Sequence, residues 1–90
     1  MLFYVKIQLK MDKMGEMLEM SSKGDIPNPA EYSTIYCSDE IPGLGYAIFS
    51  VESRNQLDDI LGKLAPYSEV FETAPIMTLQ EFQAKMAGQA

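Results

Sequence analysis

Residues 44–66 read LGYAIFSVESRNQLDDILGKLAP, and the change of period inside this stretch decides the fold. Leu44 to Val51 is rich in β-branched and aromatic residues, as a strand is. From Leu57 onward the apolar positions Leu57, Ile60, Leu61 and Leu64 follow the i, i+3, i+4, i+7 spacing of a single helical stripe. Between them, Ser53-Arg-Asn-Gln56 has the capping-box form, in which the serine accepts from the third helical amide and the glutamine reaches back. Pro66 ends the run, since it can neither donate an amide hydrogen nor extend the helix. A strand therefore runs almost directly into a helix.

The same tests apply on either side. Upstream, Tyr32 to Ser38 is a second β-rich run, and Asp39-Glu-Ile-Pro-Gly43 supplies turn chemistry, which predicts an antiparallel hairpin. Asp25-Ile-Pro-Asn-Pro-Ala30 must be a loop, because Pro27 and Pro29 each remove a donor and restrict the residue before them. Met11 to Lys23 spaces Met14, Met17 and Leu18 as a short helix, with Asp12 available as a cap and Gly24 as the stop. Gly15 weakens it by up to about 1 kcal/mol relative to alanine. At the start of the chain, Phe3, Val5, Ile7 and Leu9 alternate with Leu2, Tyr4, Lys6 and Gln8, the period-two pattern of a half-buried strand and not of a signal peptide.

Downstream, Ser68 to Met77 predicts a last strand, with Val70, Ala74 and Ile76 on one face and Phe71, Thr73 and Pro75 on the other. Pro75 suits a strand end or an edge. Thr78-Leu-Gln-Glu81 is a second capping box, with Met77 placed to staple onto Phe82, so a third helix is expected to about Met86, with a frayed tail over 87–90. The order is β-α-β-β-α-β plus a short C-terminal helix. This is the α+β, ferredoxin-like plan: one domain over residues 1–90, with both helices on one face of a four-stranded antiparallel sheet.

That plan leaves the second sheet face bare. It would carry Leu2, Tyr4, Lys6 and Gln8 from the first strand, and Thr34, Tyr36, Ser38, Tyr46, Ile48 and Ser50 from the hairpin. Large rings there favour burial, while the polar members resist a dry environment. A second copy meeting this face across a two-fold axis answers both demands and encloses a cavity. Length argues the same way, since 90 residues bury only about 60 to 65% of their unfolded surface as a monomer.

Composition excludes several functions. A formal charge of −6 with no cluster of its seven basic residues disfavours nucleic acid. No apolar run reaches the roughly 20 residues of a membrane-spanning helix. The single cysteine, Cys37, cannot form an internal disulfide, which fits a reducing cytoplasm. Histidine is absent, and with it the commonest neutral-pH base and nitrogen ligand for metals, so no metal or other cofactor is expected.

Met1-Leu-Phe-Tyr-Val5, Phe49-Ser-Val-Glu-Ser53 running into Leu57, Leu61 and Gly62, and Thr73-Ala-Pro75 together resemble the muconolactone isomerase-like members of the dimeric α+β barrel superfamily. The match is best over residues 45–78 and the first strand. The resemblance implies a homodimer whose two sheets form a barrel, in a group ranging from isomerases and monooxygenases to proteins without known chemistry. The short methionine-rich first helix, the proline-rich loop and the lack of histidine depart from the isomerase pattern.

The candidate ligand-binding residues are Tyr4, Lys6, Tyr36, Tyr46 and Glu72. Lys6 among tyrosines could anchor an anionic ligand, with the rings holding a flat molecule, or it could simply snorkel from an amphipathic strand. Glu72 could act as a proton-transfer base if buried, or be a solvated strand carboxylate. Cys37 reads as a small buried hydrophobe, the methionines at 11, 14, 17 and 20 as core, and Gly43-Leu-Gly45 as a turn. Three functions follow: a homodimeric domain binding a small anionic or aromatic molecule between its sheets, a cofactor-independent isomerase or monooxygenase working in that cavity, and a protein-interaction module using the methionine helix.

Overall fold

The computed structural model describes residues 1–88; Gln89 and Ala90, the end of the tail expected to fray, lie outside the described residues. Strands β1 (Leu2–Leu9), β2 (Ser33–Cys37), β3 (Leu44–Ser50) and β4 (Ser68–Ile76) alternate with helices α1 (Met14–Ser22) and α2 (Arg54–Leu64), and α3 (Leu79–Ala87) closes the chain. The sheet order is β2-β3-β1-β4, with every neighbouring pair antiparallel. This is the ferredoxin-like arrangement read from the sequence.

The strand register explains the two faces, because directly paired residues project on the same side. Ser33, Phe49, Phe3 and Pro75 form one row across the sheet, and Ile35, Ala47, Val5 and Thr73 the next. From these rows Phe3, Val5, Ala47 and Phe49 are buried against Leu57, Ile60 and Leu64 of α2, together with Ile26, Val51 and Tyr67. The apolar stripe of α2 thus lies on the sheet as its spacing predicts. Arg54 anchors the start of that helix, its guanidinium 5.6 Å from the Phe3 ring centroid and 3.4 Å from the Thr73 hydroxyl.

The helix ends follow the sequence with two changes. Asp12 does not cap α1: Met11–Lys13 is a 3-10 turn, and the helix proper starts at Met14 behind Lys13 with no side-chain cap. Ser53 Oγ accepts from the Gln56 amide at 3.1 Å, as a cap should, but Gln56 Oε1 accepts from the amide of Glu52, not of Ser53, at 2.7 Å. In α3 both halves of the capping box form between Thr78 and Glu81. Helix α1 ends at Gly24, whose φ of +79° lets the Gly24 and Asp25 amides turn back to the carbonyls of Ser21 and Met20.

Three expectations change. The β4 register slips between Lys6 and Ile7 of β1, leaving Phe71 as an extra residue in a bulge. Val70 therefore shares the helix-side row of Ile7, while Ala74, opposite Tyr4, and Ile76, opposite Leu2, lie on the open face, so the alternation expected over 70–76 is broken. Cys37 is exposed, not buried, because β2 is an edge strand. Gly43 forms the turn, but Gly45 is already part of β3.

Two helices are loosely held. Helix α1 has no fully buried residue: of the four methionines read as core only Met17 and Met20 lean on it, Met11 lies exposed ahead of the helix, and Leu18 is 61% exposed. Every residue of α3 is exposed, including Leu79, Phe82 and Met86.

Candidate functional site

Pairing places four of the five sequence-derived candidates in one line. Tyr36 pairs with Tyr46, Tyr46 with Lys6, and Lys6 with Glu72, so the row crosses all four strands on the open face. Tyr4 sits in the adjacent row, between Ile48 and Ala74. The register alone produces this grouping, since the four residues come from four separate elements.

The row is graded in exposure. Tyr36 at the β2 edge and Glu72 at the β4 edge are open to solvent, whereas Lys6 and Tyr4, on a central strand, are half-buried. Among the described residues the ion pairs are Lys23 with Glu19, Arg54 with Asp58 and Lys63 with Asp59, all within helices or their caps, so Lys6 and Glu72 face each other without a formed bridge. Lys6 can therefore offer all three of its donors to a ligand. On the open face the concavity is broad and open to solvent. A shallow depression bounded by Leu2, Tyr32, Thr34, Ile48 and Ser50 lies toward one end of it and includes none of the five candidates.

A deeper cavity lies on the opposite face, where the sequence reading placed only core. It has a volume of about 390 Å³ and sits between α1, the proline-rich loop and the helix-side surface of β2 and β3. Gly45, Ala47 and Phe49 of β3 form its floor, Ile35 and Cys37 of β2 one side, and Met17, Leu18 and Ser21 of α1 its roof. Pro27, Asn28 and Pro29 close one end. The missed signal was the alternation Gly43, Gly45, Ala47, three small residues at every second position, which leaves the sheet surface low beneath a helix with no buried side chain to fill it.

Neither surface gathers a metal-ligating set; among the described residues no three of His, Cys, Asp or Glu come close enough to hold an ion. No helix among the described residues is long and apolar enough to cross a membrane. No protein-family model, curated protein or solved structure matches the chain.

Proposed function

We infer that this chain is a small-molecule-binding domain that works as a homodimer, with two open sheet faces enclosing a flat anionic or aromatic ligand. The observation that carries the reading is the cross-strand row Tyr36–Tyr46–Lys6–Glu72. One central ammonium flanked by rings is suited to a carboxylate attached to an aromatic or unsaturated body, the cation meeting the charge and the rings its faces. Glu72 lies at an edge in solvent, where its repulsion of an anion is screened, while half-buried Lys6 acts at closer range.

Surface economy supports the second copy. Four strands at about 4.8 Å spacing and some seven residues long project roughly 450 Å² per face, so two faces alone fall short of the 1,200–2,000 Å² typical of stable interfaces. Helix α3, with Leu79, Phe82 and Met86 uncovered, supplies additional apolar surface that its own domain leaves unused.

Sedimentation equilibrium and thermal shift with benzoate test this. A dimer is expected, with benzoate at a hundred times its Kd adding about 2.7 kcal/mol of stability, a shift of several degrees. Lys6→Ala should remove that shift while keeping the dimer. A monomer at high concentration, or an undiminished benzoate shift in Lys6→Ala, would overturn the proposal.

A second reading, proton-transfer catalysis of the isomerase type, draws on the direct opposition of Lys6 and Glu72, since a donor and an acceptor facing one ligand are what a proton shuttle needs. Under it, Glu72→Gln would keep benzoate binding and abolish solvent deuterium exchange into a lactone acid. Exchange that continues unchanged in that variant rules it out.

A further inference from the structure

The geometry points to a second binding site, separate from the open sheet face: the cavity beneath α1 takes a neutral, largely hydrocarbon molecule. Its volume of about 390 Å³ falls within the range of small-molecule pockets. At about 30 Å³ per molecule it would need about a dozen waters to fill it, each seeking two to four polar partners. The wall cannot supply them. Its polar side chains are Ser21, Asn28 and Cys37, and the Asn28 Oδ1 is already engaged by the Ala30 amide at 3.1 Å. Water is therefore a poor occupant, and apolar matter a good one.

The same wall sets the charge of the ligand. No lysine, arginine, aspartate or glutamate lines the cavity, so a carboxylate or ammonium carried inside would lose its hydration with nothing to replace it. A single hydroxyl is the most polarity the site can satisfy. Access comes through the weakest wall. Helix α1 contributes no fully buried side chain and contains Gly15, so its displacement uncovers little core, whereas the floor residues Ala47 and Phe49 are held in the central sheet.

Decan-1-ol and decanoate, which differ in head-group charge on the same chain length, are the probes, and Cys37, the sole cysteine and part of the wall, is the local reporter. In the unsubstituted 90-residue chain, decan-1-ol should raise Tm by several degrees and slow iodoacetamide alkylation of Cys37 at least fivefold, with decanoate doing neither at equal concentration. Cys37→Phe, which fills the cavity from an exposed position, should abolish the decan-1-ol shift, and Leu18→Lys, which sets a charge in the roof, should reduce it at least tenfold in apparent affinity. Lys6→Ala should leave it intact, so this site and the sheet face fail or succeed separately. Decan-1-ol that alters neither Tm nor Cys37 alkylation overturns the proposal, as does an equal decanoate effect or an undiminished shift in Cys37→Phe.

Discussion

Gly43 and Gly15 show how the same residue type answers to different constraints. Gly43 has a φ of +82°, and a Cβ there would stand 2.7 Å from Gln8 Nε2, 2.8 Å from Met11 Sδ and 2.9 Å from the Leu9 carbonyl oxygen. Gln8 cannot easily withdraw, because its Nε2 donates to the carbonyls of Leu9 and Pro42 and so ties the hairpin loop to β1. Gly43→Ala is expected to cost about 2 kcal/mol or more, strain and clash together. Gly15 sits in α1 with nothing within 4 Å of the added carbon, so Gly15→Ala should stabilise the chain by up to about 1 kcal/mol. Urea midpoints at constant m read both, and a Gly43→Ala variant as stable as wild type would mean the turn is not held as described. The need for glycine at 43 was only half legible: turn chemistry located the bend, while the close approach of Gln8, 35 positions earlier, depends on a strand pairing that no local pattern displays.

Among the elements, two caps of the same chemistry should carry unequal consequences. Ser53 starts α2, whose Leu57, Ile60 and Leu64 are buried in the core, so Ser53→Ala should cost about 1 kcal/mol of global stability. Thr78 starts α3, none of whose residues is buried. Thr78→Ala should therefore lower helicity locally and move the urea midpoint by less than half as much, measured at dilution where the chain is monomeric. Equal losses would show that α3 is coupled to the core. The contrast marks what periodicity can and cannot reveal. Spacing and capping residues located both helices, because those signals are local to the helix itself. They do not record what the apolar stripe meets, which is why Leu57 and Leu79 looked alike in sequence and differ from 0% to 71% in exposure. The β4 bulge escaped for a related reason. One extra residue at Phe71 leaves composition unchanged and alters only the phase of alternation, so Val70 reads as sharing a face with Ala74 and Ile76 when it lies on the opposite one. Tyr36, Tyr46 and Lys6 were legible as members of one face by their parity, but the place of Glu72 beside Lys6 and the alignment of the row needed the register.

For the molecule as a whole, dimension and exposure lead to the same question. The radius of gyration is 15.1 Å and the extents are 52 × 29 × 17 Å. A compact chain of this length would have a radius near 12 Å. The excess fits a helix standing off the body and a sheet covered on one side only, and both leave apolar side chains in water: Leu79, Phe82 and Met86 on α3, and Ile76 and the rings of Tyr36 and Tyr46 on the sheet. If a second copy covers these surfaces, two independent changes should weaken the same assembly. Ile48→Asp puts a carboxylate at a half-buried position in the middle of the open face, where pairing would leave it desolvated without a partner. Removing residues 78–90 takes away α3 and leaves the sheet and core residues in place. Sedimentation equilibrium should show each variant dissociating at least tenfold more readily than the 90-residue chain, with Ile48→Asp monomeric at concentrations where wild type is paired. Because neither change touches the residues buried between α2 and the sheet, urea unfolding of each monomer should remain cooperative with a similar m value. A wild-type chain that stays monomeric throughout, with scattering that reproduces the 15.1 Å radius in solution, would mean that α3 and the open face are hydrated as they stand and that the sheet needs no partner.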